Sequence, residues 1–153
     1  MVYERYDYEA NRNRTRFSFI SSSHYRNIHK LVLFRKIGNI QENYFSLEFG
    51  DWDPITNKLN VISISNNGDR DKVLNTVACT VLDFMHCYPN SIVFAKGSTL
   101  SRTRLYQIGI NKNISVIQAY LNIYGFIDNQ WEVFSSKRNY QAFYVLKRNG
   151  NFK

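Results

Sequence analysis

The chain has 153 residues, 20 Lys/Arg against 12 Asp/Glu for a formal net charge of +8, and 11 Tyr and 11 Phe. That length predicts one domain over residues 1–153 with its own hydrophobic core and no need of disulfide or metal staples. The longest purely apolar run, residues 31–34, excludes a membrane-spanning helix, and the chain opens without a signal-length apolar stretch, so a cytoplasmic protein is expected.

The charge is uneven. Residues 1–36 hold eight Lys/Arg against three acids, and residues 96–112 hold Lys96, Arg102, Arg104 and Lys112 with no acid. Residues 137–153 are also free of acids, whereas 41–71 carry six acids against Lys58 and Arg70. Such a basic excess fits nucleic acid, a nucleotide or an acidic protein partner, and equally a solvated surface with no partner. Cys79 and Cys87 lie roughly 12 Å apart on one predicted helix. That is too far for a disulfide, so they read as reduced, mostly buried thiols.

In chain order, residues 1–14 read as a partly ordered arm or short edge strand. Residues 16–20 alternate as a strand, 21–23 turn, 28–37 form a longer strand closed by Gly38 and Asn39, and 43–49 pair with it. Phe45, Leu47 and Phe49 share one face of that hairpin. Residues 51–54 read as a loop and 59–64 as a fourth strand. Asp69 then caps a helix to about Tyr88, whose apolar stripe holds Val73, Val77, Val81, Phe84 and Tyr88, with Lys72, Asn75, Thr76, Asp83 and His86 opposite. A buried strand over 91–95 leads to a helix from Ser98 or Thr99 to about Ile108, stopped by Gly109. Asn113 or Ser115 starts another helix, with Ile117, Tyr120, Leu121 and Tyr124 on one face and Gly125 ending it. Residues 131–134 and 141–147 close the chain as a hairpin. The fold class is α+β: a mostly antiparallel sheet with about three helices packed on it.

The candidate phosphate or ligand site is the turn Lys96, Gly97, Ser98, Thr99 with Arg102, Arg104 and Tyr106 on the following helix. Gly permits a tight turn, Ser or Thr caps the helix, and a helix start offers free N–H groups to an anion. Arg102 and Tyr106 lie four residues apart, which suits a guanidinium–aromatic stack. The spacing is not that of a P-loop, and an ordinary strand-to-helix turn explains the same residues. Asn66, Asn67, Gly68 and Asp69 read as a structural turn, since Asp69 and Asp71 repel phosphate. His24, His29 and His86 are scattered, none has metal-ligand spacing with a cysteine, and no cofactor is indicated. Asp51 and Asp53 read as solvated loop charges. Tyr3, Tyr6 and Tyr8 near Arg5, Arg12 and Arg14, and Tyr140, Phe143 and Tyr144 near Lys137, Arg138, Lys147 and Arg148, are residue types that grip single-stranded nucleic acid; they equally pack sheets.

Residues 61–69, 72–74, 76–78, 93–99 and 102–110 together resemble an uncharacterised family of small single-domain proteins found mainly in Bacteroidota bacteria. The resemblance spans most of the chain and implies a bacterial protein without an established activity. A partial resemblance to the core of GNAT-type acetyltransferases is carried by Asn67, Gly68, Asp69 and Arg70, and by Leu105 and Tyr106 with Gly109. It implies a strand–turn–helix that holds coenzyme A pyrophosphate, but the turn here has one Gly and two nearby acids.

The leading expectation is a basic protein that binds nucleic acid, RNA ahead of DNA, or a phosphate-bearing ligand, as in the effector of a toxin–antitoxin pair. Any nuclease chemistry would be metal-independent and would draw on Lys96, Arg102, Arg104, Tyr106 or a His. The alternatives are a divergent acyltransferase and a protein-interaction module for an acidic partner.

Overall fold

Alternating apolar residues shape the first half of the chain into a meander, in a computed structural model whose described residues are 4–38, 43–61 and 66–148. The edge strand β1 (Glu9–Ala10) is followed by β2 (Arg16–Ser22), β3 (Asn27–Lys36), β4 (Tyr44–Asp53) and β5 (Lys58–Asn60), paired antiparallel in chain order. The expected turn at 21–23 moves to 23–26, because β2 stays paired with β3 through Ser22 and Ser23 then bonds Arg26. The expected loop at 51–54 is largely strand: Asp51, Trp52 and Asp53 pair with Asn60, Leu59 and Lys58. Asp53 makes the return tight by accepting from the N–H groups of Ile55 and Thr56, while Asn57 takes the left-handed φ of 59° that Asn tolerates. Of the strand expected over 59–64, residues 62–65 lie outside the described residues, as does Asn39 after β3.

The second half alternates helix and strand: α1 (Arg70–Cys87), β6 (Ile92–Ala95), α2 (Leu100–Lys112), α3 (Ile114–Tyr120), β7 (Leu121–Ile127), β8 (Gln130–Val133) and β9 (Ala142–Lys147). The sheet runs β1-β2-β3-β4-β6-β9-β7-β8, with β5 alongside β4. Its parallel pair is β4–β6, joined through α1; the other described pairs are antiparallel. The chain is therefore a single α+β domain, with a nine-stranded, mostly antiparallel sheet among the described residues.

Four local expectations change. Asn75 and Thr76 belong to the expected polar face of α1 but are buried, because the N-terminal segment crosses them: the Tyr6 N–H donates to Thr76 Oγ1 and Asn75 donates to the Glu4 carbonyl. Gly109 does not end α2; it sits inside the helix where a Cβ would meet Leu74 at 3.3 Å, so its smallness sets the approach to α1. The helix expected to reach Gly125 stops at Tyr120, which is exposed, and Leu121 and Tyr124 lie in β7. β8 and β9 do not pair with each other, because β7 lies between them.

The core faces the helices. Phe17, Phe19, Val32, Phe34, Phe45, Leu47, Phe49, Val93, Ile123 and Phe143 meet Val73, Val77, Phe84, Tyr106 and Ile117. On the opposite face, period-two alternation places Tyr44, Phe94, Tyr144, Tyr124, Phe126 and Trp131 on five adjacent strands, all of them half-buried or exposed.

The N-terminal segment is held by charge as well as packing. The Arg14 guanidinium, then the Tyr8 hydroxyl, bond Asp83 and hold its carboxyl below the usual range. Burial, followed by the hydrogen bond to Asp83, pushes the Tyr8 phenol from 10.0 to about 12. The folded chain thus holds the Tyr8 proton more tightly than the unfolded chain, so this stabilisation is full below the unfolded value and is lost as pH rises through the folded one. The urea midpoint is expected to fall across that window, and to fall less in Tyr8→Phe. An identical fall in both proteins would remove Tyr8 as the source.

Candidate functional site

β6 delivers the chain to the turn at 96–99, where the exposed Lys96 precedes a buried Gly97. A Cβ on Gly97 would lie 2.3 Å from the Thr103 nitrogen and 2.6 Å from the Arg102 carbonyl carbon, so the turn can lie on α2 only without a side chain here. The Gly97 N–H donates to Thr103 Oγ1 at 3.0 Å. Ser98 donates to the Val61 carbonyl. Thr99 is the N-cap of α2 and accepts from the Arg102 N–H at 3.2 Å. The Leu100 and Ser101 N–H groups, which have no intrahelical acceptor, remain at the helix start. A shallow pocket of about 350 Å³ lies there, lined by residues 96–100 with Thr103, Phe126, Gln141 and Ala142.

The expected constellation divides in two. Arg102 turns away from this pocket: it is buried, donates through Nη2 to the Phe49 carbonyl and lies 5.7 Å from the Phe49 ring centroid. The expected stack on Tyr106 is thus a stack on Phe49. Tyr106 is part of the core, where burial raises its phenol and the neighbouring Arg102 pulls it back down. Arg104 is exposed. Among the seven residues, Lys96 and Arg104 present charge to solvent, while Gly97, Ser98, Thr99, Arg102 and Tyr106 build the turn and the helix packing.

Arg102 instead forms part of a larger cleft of about 720 Å³, with Lys30, Phe49, Asp51, Leu105 and residues 66–74. Lys30 and Asp51 are the helix-facing pair at the end of the β3–β4 register and form an ion pair at 2.5 Å, with the lysine side chain 7 % exposed. Asp51 is therefore an ion-pair partner rather than a solvated loop charge. The turn at 66–69 opens α1 with Gly68 at φ 76°. Asp69 holds the N-cap position but does not cap with its side chain; its carboxylate accepts from Tyr6 and Ser21. Asp71 pairs with Lys112 and Arg70, which hold it below the usual carboxylate range.

The other candidates lie apart. His24, His29 and His86 are exposed on separate elements. Cys79 and Cys87 are free thiols, Cys79 partly buried and raised by that burial, Cys87 exposed rather than buried. Tyr140 and Phe143 are core residues, Tyr6 and Tyr8 pack against the core, and Tyr3 lies outside the described residues. Of the expected terminal aromatics, Tyr144 is the one on the open sheet face, beside Phe94 and Tyr124, which sequence reading did not single out as site residues. Among the described residues, no group of three or more His, Cys, Asp or Glu is placed to hold a metal ion. No described helix is long and apolar enough to cross a membrane.

These elements define a single α+β domain whose helices cover one face of its sheet. The chain belongs to a family of unknown function, DUF6934, which it matches over residues 2–148, in keeping with its sequence resemblance to an uncharacterised family. No curated protein and no solved structure matches the chain.

Proposed function

We propose that this protein binds nucleic acid through its phosphates at the start of α2, with RNA the first substrate to examine. The supporting observation is the pocket at 96–100, where exposed Lys96 lies beside two helix N–H groups that have no intrahelical acceptor, with exposed Arg104 on the same helix. On a chain of net charge +8, attraction to a polyanion draws on the whole surface and this turn supplies a fixed point. Labelled RNA should bind more weakly as salt rises. Lys96→Ala/Arg104→Ala is expected to flatten the log–log salt slope by about one to one and a half. Arg102 is kept in this variant because its guanidinium ties α2 to β4. Salt-insensitive binding, or an unchanged slope, would sink the proposal.

The cleft beside α1 favours a second reading, a small phosphate-bearing ligand such as coenzyme A. It lies where a strand, the Gly68 turn and a helix follow one another, and Lys30 and Arg102 line it. Against this stand Asp69 and Asp71 at the same helix start, and β5, which pairs with the end of β4 where it has parted from β6. Coenzyme A titration of the native protein and of Gly68→Pro decides it: saturable binding lost in the variant would support the cleft.

A further inference from the structure

The helix-free face of the sheet carries a continuous aromatic surface. Tyr44 meets Phe94 at a centroid distance of 5.8 Å, Phe94 meets Tyr144 at 5.6 Å, and Tyr144 stacks on Tyr124 at 4.8 Å with 13° between planes. Trp131 closes edge-on to Tyr144 at 4.8 Å and packs on Phe126 at 5.1 Å. These rings come from β4, β6, β9, β7 and β8, neighbours in that order, so they cross four strand spacings, about 19 Å. Burying them for packing alone would need a second layer, and the three described helices are on the other face. Trp131 is 40 % exposed and Tyr44 37 %.

We infer that this face stacks the bases of a single-stranded nucleic acid whose phosphates the 96–100 pocket engages. Phe126 joins the two, because it packs on Trp131 and also lines the pocket with Lys96. The chain's net charge of +8 and Lys96 at the pocket that Phe126 shares select a polyanion over a protein surface. On the face itself alternation places Arg16, Arg35, Glu9 and Glu48, with Arg35 paired to Glu48 at 2.9 Å and Arg16 over the Trp52 ring at 5.0 Å. Every base has a π-face, so stacking tolerates sequence but demands unpaired bases. Exposed rings on a sheet take bases that a duplex hides in its own stack. The inference rests on the phosphate-binding reading and adds to it a preference for single strands.

Trp131 is one of two tryptophans, so Trp52→Phe leaves it as sole reporter. The test titrates this full-length variant with a labelled single-stranded RNA of about twelve nucleotides and with its duplex. Indole fluorescence, anisotropy and light-scattering mass are recorded together. The expected result is quenching by the single strand, affinity about tenfold above the duplex, and a loss of about tenfold in Trp131→Ala that Trp131→Phe restores. Circular dichroism confirms that the variants are folded. Equal binding of single strand and duplex without quenching would overturn base stacking while leaving phosphate binding standing. Absence of binding to either would overturn both. A dimer abolished by Trp131→Ala, with no quenching by RNA, would show that a second copy covers the face and would overturn the inference.

Discussion

Replacing Phe84 with alanine is expected to cost about 3–5 kcal/mol of folding stability and to lower the melting temperature by about 10 °C. The ring is fully buried at the centre of the helix–sheet contact. It stacks on Phe34 at 4.2 Å and 6°, meets Phe45 edge-on at 5.0 Å and stacks on Tyr88 at 4.8 Å. Truncation removes contacts to β3, β4 and the end of α1 at once, and rings held on several sides close poorly around the void. Urea denaturation measures the effect. A loss under about 1 kcal/mol would mean that the neighbouring rings collapse into the space. Phe84→Leu, which keeps most of the volume, should lose clearly less.

Gly125→Ala is the second large effect, expected at about 3 kcal/mol from overpacking. A Cβ at this position of β7 would sit 2.3 Å from Tyr140 Cδ1 and 2.4 Å from its Cγ. The ring is buried and fastened at both ends. Its hydroxyl donates to Glu132 at 2.8 Å and accepts from the Ser135 N–H at 2.9 Å, and the Tyr140 N–H donates to Gln107 of α2 at 3.0 Å. The ring cannot swing aside without breaking that set, so the methyl group must displace β7. In a Tyr140→Ala background the same substitution should cost almost nothing, because the clash is gone. Equal costs in both backgrounds would show that the strain lies in the backbone of β7 instead.

The residues of this pair show what a linear reading can reach. Phe84 was legible, because Val73, Val77, Val81, Phe84 and Tyr88 repeat at helical spacing and such a stripe must face a core. Gly125 was legible only as a helix stop. In the structure it is a gap that Tyr140 fills, fifteen residues downstream. Residues 117–124 carry apolar spacings compatible with a helix, but residues 121–127 also alternate, and pairing with β9 and β8 decided for the strand. The buried Asn75 and Thr76 are the same kind of case: their polarity announced solvent until residues 4–8 supplied backbone partners.

The candidate site divides along the same line. The order strand, Gly turn, helix around residues 96–99 could be read from local chemistry, because glycine, hydroxyl caps and helix starts act over a few residues. Which of those side chains meet solvent could not, since Arg102 is drawn inward by a carbonyl on β4, fifty-three residues away. The aromatic face escaped for a related reason. Its rings are spread from Tyr44 to Tyr144 and become a surface only when β4, β6, β9, β7 and β8 line up.

Periodicity and composition dictate the α+β class, the charge excess, the strands β2, β3 and β4, and α1. Tertiary structure alone decided the strand order, the end of α3, the inward turn of Arg102 and the gathering of the rings. Those outcomes depend on which distant segments become neighbours, and pairing and burial energies there outweigh the local preferences that a sequence displays.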